Sequence, residues 1–253
     1  MGPKYIRREL SAVIEEAYRY FSVITVTGPR QSGKTTLIRN LFPHLPYYSL
    51  ENLDVRSFAE NDPVAFLNQH AEGMILDEVH NAPNLLSYIQ GMVDDDADRR
   101  FILSGSSQFA MLKRITQSLA GRTAVFELLP LSYSEIREIA SDTPLDHLLL
   151  DGFYPAIYSG RNVPKFLYPA YMKTYLDKDV RDLLQIKDMM QFHTFIRLCA
   201  GRIGSLFKAS ELANEIGISS HTITAWLSVL QASYIVALLP PYCLLYTSDA
   251  ADD

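Results

Sequence analysis

Apolar residues recur along the first half of the chain in two rhythms. Short, nearly unbroken runs fall at residues 23–26, 47–50, 73–76, 101–103 and 123–128. Runs this short, apolar on both sides, predict strands of a parallel sheet covered on both faces. Between them the apolar positions take helical spacing. Examples are Ile6, Leu10, Val13, Ile14 and Ala17, then Leu37 to Phe42, Val55 to Glu60, Pro63 to His70, Asn84 to Val93 and Met111 to Leu119. Strand and helix alternate, which predicts an α/β fold with a parallel sheet. Arg7 and Arg8 lie on the first helical segment and read as solvated charges, with a role near the nucleotide as the alternative.

The rhythm changes after Leu128. Pro130-Leu131-Ser132 interrupts it, and Ser132 to Glu135 has capping-box spacing. Leu145 to Leu150 and Gly152-Phe153-Tyr154-Pro155 form a small connector, followed by long helices at Val163 to Leu184 and Met189 to Arg202. Residues 204–242 read as a winged helix-turn-helix. Ser210 caps a helix to Ile216, Gly217-Ile218-Ser219 turns, Ser220 to Ala232 forms the second helix, and Tyr234 to Leu239 forms a wing strand. The expected organisation is an α/β domain at 1–140, a helical connector at 141–203 and the winged helix at 204–242. Residues 243–253 break register and resemble an in-frame translation of a sequencing adapter, so they are excluded from the fold. On that reading the natural chain is truncated near Tyr242 and a C-terminal region is missing.

The stretch leaving the first strand supplies the chemistry. Gly28-Pro29-Arg30-Gln31-Ser32-Gly33-Lys34-Thr35-Thr36 has the spacing G-x-x-x-x-G-K-T between a strand and a helix. That arrangement is a phosphate-binding P-loop. The glycines let the backbone curl so that successive N–H groups face one anion, at a helix N-terminus that also favours negative charge. Lys34 is expected to reach the β- and γ-phosphates, and the Thr35 hydroxyl to bind Mg²⁺.

A second signal closes the third strand, where Gly73-Met74-Ile75-Leu76 runs into Asp77-Glu78. This is a Walker B arrangement. Asp77 is expected to hold the Mg²⁺ shell, and Glu78 to polarise a water facing the γ-phosphate. His80 follows and reads as structural. The strand ending in Ser104-Gly105-Ser106-Ser107 is expected between the two Walker strands, with Ser104 or Ser106 near the γ-phosphate or attacking water. Arg122, just before the last strand, is a candidate to stabilise transition-state charge at a neighbouring subunit's site.

Composition narrows the partners. Among 253 residues, 48% are hydrophobic and 21% charged, and the net charge is −6. That balance argues against a broad nucleic-acid-coating surface. From 201 to 242 the bases are Arg202 and Lys208 and the acids Glu211 and Glu215, so the second helix lacks a phosphate grip. A protein partner or self-association is expected there; DNA is possible but not supported by charge. The charged N-terminal stretch is no signal peptide, and the apolar run near Tyr234 to Tyr246 is broken by Pro240-Pro241 and too short to span a bilayer. Two cysteines, Cys199 and Cys243, lack metal spacing. A cytoplasmic home is the simplest expectation, with no membrane.

With these motifs in place, residues 4–242 resemble a large prokaryotic family of AAA+ ATPases that end in a C-terminal domain of unknown function. The resemblance rests on Gly28 to Leu37, Ile75 to His80, Leu103 to Ser107, Leu119 to Arg122, Leu129 to Ser132 and Lys178-Asp179-Val180. It implies ATP and Mg²⁺ as ligands and ATP hydrolysis as the activity, with Lys34, Thr35, Asp77 and Glu78 in the roles above. A slow nucleotide-dependent switch is the alternative, as is a DNA-acting module of a mobile element or defence system. The chain departs from the family pattern at Glu51, where Asp is usual, and at Asp151-Gly152, where Gly-Gly is common.

Overall fold

The computed structural model describes residues 5–105, 118–176 and 189–240. Five strands form one parallel sheet: β1 (Val23–Thr27), β2 (Tyr47–Ser49), β3 (Gly73–Asp77), β4 (Arg100–Ser104) and β5 (Thr123–Glu127). Their order across the sheet is β2-β3-β4-β1-β5. β4 therefore lies between β1 and β3, as the sequence predicts. Because all strands run the same way, every C-terminal end opens on one edge of the sheet. Crevices outside those ends are where open α/β sheets bind ligands.

The two faces are separated by strand parity. Met74, Leu76, Phe101 and Leu103 pack with Phe66, Leu85, Leu86 and Ile89. The alternate residues Ile75 and Ile102 join Ile24, Val26, Ile14, Leu37 and Ile38 on the other face. The first face is covered by α3 (Leu53–Asn61), α4 (Pro63–Leu67) and α5 (Leu85–Asp95). The second is covered by α1 (Leu10–Ala17) and α2 (Lys34–Leu41). Asn52 caps α3 through Asp54 and Val55, and Asp62 caps α4 ahead of Pro63. These caps satisfy amide donors that a helix start leaves free.

The chain divides into two compact units, residues 1–171 and 172–253. The first continues past the sheet through α6 (Tyr133–Arg137), α7 (Leu145–Asp151), α8 (Pro155–Tyr158) and α9 (Pro164–Tyr171). The capping box at Ser132 and Glu135 is present. Leu131, Ile136 and Leu148 form a small core with Ile6, Phe153 and Tyr158, which fastens the N-terminal segment to this region.

The second unit opens with a π-helical turn at Met172–Leu176 and continues with α10 (Met189–Ala200), α11 (Ala209–Ile216) and α12 (Ser220–Ala232). Phe192, Phe195, Leu212, Ile223, Trp226 and Leu230 form its core. α11 and α12 are joined across Gly217 to Ser219, and Ser219 caps α12 by accepting from the Thr222 amide. Two helices joined by a short turn are present, but among the described residues the expected wing strand is not. Tyr234 to Leu239 is irregular. Tyr234 takes φ 59, and the amides of Ile235 and Val236 return to the Leu230 carbonyl. An apolar run becomes a strand only beside a partner edge, and among its described residues this unit has no strand. Ile235 and Val236 instead pack on the helical core.

The central strand should tolerate truncation least. Ile102 is fully buried on β4, whereas Val125 is 43% exposed on edge strand β5. Ile102→Ala is expected to cost about 2–5 kcal/mol and Val125→Ala under about 1 kcal/mol. Urea unfolding of the two variants checks the difference.

Candidate functional site

The edge formed by the strand C-termini gathers most of the expected residues. Thr27 leads into the loop of residues 28–33, and α2 begins at Lys34 with Gly33 as its N-cap. Gly33 takes φ 96, and the loop residue Gln31 takes φ 62. Gly28 takes φ 139, and a Cβ there would lie 2.2 Å from the Leu128 carbonyl oxygen. The loop thus presses against the chain leaving β5, and only glycine fits the contact.

Lys34 is buried, and its Nζ donates to the carbonyls of Gly28 at 3.0 Å and Pro29 at 2.8 Å. Burial pushes its pKa down, opposed by the nearby carboxylates of Glu78 and Asp77. Ser32 is fully buried, and its Oγ has no hydrogen-bond partner among the described residues. Arg30, Gln31 and Thr36 belong to the same turn and first helical residues.

Asp77 is the hub. Its Oδ2 accepts from the Thr35 hydroxyl at 2.7 Å and from the Tyr47 hydroxyl at 2.7 Å, and its Oδ1 accepts from Ser104 Oγ. Strand register explains the convergence. Ser49 on β2 pairs with Asp77, and Leu103 on β4 pairs with Leu76. Tyr47 lies on the same face as Ser49, about 7 Å back along the strand, within reach of a tyrosine side chain. Arg39 lies over the Tyr47 ring at 4.8 Å. Burial, then the bond to Asp77, raises the Tyr47 pKa, so the hydroxyl remains a donor. A hydroxyl and a carboxylate 2.7 Å apart at a P-loop helix suit a hard divalent cation such as Mg²⁺. The loop fits a phosphate by its own donor set and left-handed glycines.

Glu78 adopts left-handed backbone angles, φ 55 and ψ 46. For a non-glycine residue this costs about 1–2 kcal/mol, and such outliers cluster at functional positions. The turn carries Glu78 into the short 3₁₀ segment Val79–Asn81, and His80 Nδ1 lies 3.1 Å from Glu78 Oε2. His80 is thus placed beside the candidate base.

Ser104 is fully buried and engaged with Asp77, so its position orients that carboxylate. Ser106 lies outside the described residues. Arg122 is at the opposite edge of the sheet. Its carbonyl accepts from Val23, at the start of β1, four residues or about 13 Å from Thr27. Its guanidinium pairs with Asp94, with Nε to Oδ1 at 2.5 Å and Nη2 to Oδ2 at 2.8 Å, and these bonds lower the Asp94 pKa. Arg122 does not join this chain's own phosphate loop.

Arg8 corrects the reading of a solvated charge: it is 7% exposed. Residues 5–9 precede α1 rather than forming its first turn. Arg8 Nε donates to Glu135 Oε1 at 3.0 Å, Nη1 to the Ser32 carbonyl at 2.8 Å, and Nη2 to the Leu129 carbonyl at 2.7 Å and Pro130 carbonyl at 3.1 Å. The partner carboxylate is 127 residues away, so no local pattern could reveal the pair. Tyr47 was likewise legible as a strand residue but not as a partner of Asp77.

Residues 20–137 match the model of the AAA domain family, and residues 142–247 match a domain of unknown function, DUF8612. Residues 20–137 are therefore similar to an AAA domain. The uncharacterized protein Rv2008c of Mycobacterium tuberculosis is 30% identical over 93% of this chain and 54% of its own length. The uncharacterized protein MJ1544 of Methanocaldococcus jannaschii is 22% identical over 85% of this chain and 55% of its own. The chain spans about half the length of these relatives. Among solved structures, a Walker-type ATPase of Pyrococcus abyssi superposes over 90% of both chains with TM-score 0.60 at 14% identity. That likeness shows a shared fold. No helix among the described residues is long and apolar enough to cross a membrane.

Two hydroxyls outside the P-loop hold Asp77, and each should be measurable. Tyr47→Phe and Ser104→Ala each remove a bond to a charged acceptor and are expected to cost about 1.5–3 kcal/mol. Urea unfolding reads the loss; a change below about 0.5 kcal/mol shows that the bond contributes little.

Proposed function

We propose that this chain is a Mg²⁺-dependent ATPase whose nucleotide cycle acts on a protein partner or on self-association. The observation that carries this reading is the 2.7 Å bond between Thr35 and Asp77, which joins the P-loop helix to the tip of β3 beside Lys34. Residues of this chain then divide the work. Backbone amides of Gly28, Pro29, Arg30, Gln31, Ser32 and Gly33, excepting the proline nitrogen, wrap the phosphates. Lys34 Nζ leaves the Gly28 and Pro29 carbonyls for the β- and γ-phosphate oxygens, and Thr36 closes the first helical turn. Thr35 and Asp77 hold Mg²⁺, which supplies Lewis-acid polarisation of phosphate oxygens when bound. Tyr47 and Ser104 keep the Asp77 carboxylate oriented.

Glu78 accepts a proton from a water whose oxygen attacks the γ-phosphorus. The bond from that phosphorus to the bridging oxygen breaks, and its electrons leave with ADP. Developing charge meets Lys34 and the loop amides. His80 restrains the Glu78 carboxylate. Ser106 is a further candidate to contact the attacking water. Arg122 acts in trans, if at all in chemistry, because its edge of the sheet faces away from its own loop. Residues 1–140 serve as the motor, 141–203 as the connector and 204–242 as the docking module.

The helix–turn–helix favours a protein contact over DNA. Arg202 pairs with Glu215 and Lys208 with Glu211 at 3.1 Å. Both bases of that segment are thus neutralised locally, which removes the counterion-releasing contacts that nucleic acid requires. DNA-stimulated turnover that falls steeply with salt would reverse this preference.

Glu78→Gln is expected to keep ATP binding and to lower turnover about 100-fold. Lys34→Ala is expected to lose ATP binding. Steady-state phosphate release and equilibrium binding of a fluorescent ATP analogue check both; undiminished hydrolysis by Glu78→Gln removes that residue from the role of base.

A further inference from the structure

We infer that Arg8 is a positioning residue of the phosphate loop, setting one of its peptide planes for anion binding; the inference rests on the nucleotide-binding reading above. Arg8 comes from the segment before α1, outside every motif of the nucleotide site. Its Nη1 donates to the Ser32 carbonyl at 2.8 Å and lies 3.8 Å from where a Cβ on Gly33 would sit. No peptide bond is cis among the described residues. In a trans peptide the N–H points opposite to the C=O. With the Ser32 oxygen held on the Arg8 side, the Gly33 N–H is turned away from Arg8. That amide is the last before Lys34, and turned away from Arg8 it is left for a phosphate oxygen in the loop.

The guanidinium is itself fixed from three directions. Glu135 Oε1 receives Nε, and the carbonyls of Leu129 and Pro130 receive Nη2. Glu135 is held in turn by the Glu9 amide at 2.7 Å and the Ser132 amide at 2.8 Å. Both side chains are buried, 7% and 5% exposed. A planar fork with several fixed donors can meet these acceptors at once; an ammonium on a flexible stem cannot. Glycine at 33 leaves the peptide free to rotate, so an external restraint on the Ser32 carbonyl has something to restrain. Arg8 also ties the loop to residues 129–135, through which the chain passes from β5 into α6.

The test compares Glu135→Gln with the double variant Arg8→Gln/Glu135→Gln. The double change leaves no unpaired buried charge, so it avoids the large penalty of stranding one partner. Affinities for ATP and ADP are measured with a fluorescent ATP analogue and by competition, well below each variant's melting temperature. The double variant is expected to bind ATP about tenfold more weakly than Glu135→Gln alone, the worth of one amide–anion bond. In steady-state hydrolysis the KM rises while kcat stays within about threefold. Arg8→Lys, which keeps the charge but loses the fork, is expected to lose affinity similarly and serves if the double variant does not fold. Equal affinity in the double variant and Glu135→Gln, or wild-type affinity in Arg8→Lys, overturns the inference. So does a fall in kcat with unchanged KM, which is the mark of a lower folded fraction. Wild-type protein that binds no ATP refutes the nucleotide reading instead, a result separate from any difference among Arg8 variants.

Discussion

The hydrogen bond from Thr35 to Asp77 joins the two halves of the site. Thr35 sits in the first turn of α2, and Asp77 closes β3, with β4 lying between β3 and the strand that feeds the loop. For that bond to form, the strands must be parallel, the register of β3 against β4 must be fixed, and α2 must leave β1 at one angle. A shift of one residue in β3 would turn Asp77 to the opposite face of the sheet. The alternating packing of Met74, Ile75 and Leu76 against two different cores opposes that shift. Hydrophobic burial, which has no direction of its own, thereby sets the position of a carboxylate.

Around this bond the structure adds a ring of polar restraints. Tyr47 and Ser104 complete the grip on Asp77, and Arg8 with Glu135 holds the underside of the loop. These groups are buried, or half-buried in the case of Tyr47, so their bonds are worth more than at the surface and are costly to leave unmade. Glu78 is different. It is held in a strained left-handed conformation next to His80, and its proposed role as base rests on that placement.

Local signals made the parallel sheet, the strand ends, the P-loop and the carboxylate pair readable in the sequence. A strand that runs into glycines and a helix carries its own punctuation, and so does the capping box at Ser132 and Glu135. The failures were all long-range. Arg8 is an arginine among charges until Glu135 arrives from 127 positions away. Tyr234 to Leu239 has the composition of a strand, yet no described strand lies in its unit to pair with it, and it folds back on the helix end instead. In each case burial or pairing, which the chain decides only once folded, overrode the local pattern.

The coupling of Thr35, Asp77 and the loop is tested most directly by ATP affinity as a function of Mg²⁺ concentration. The wild-type protein is expected to bind ATP more tightly as Mg²⁺ rises, and Asp77→Asn to bind ATP at the Mg²⁺-free level whatever the concentration. Tight binding by the wild-type protein that is indifferent to Mg²⁺, or an Asp77→Asn variant with the full Mg²⁺ response, would contradict the account.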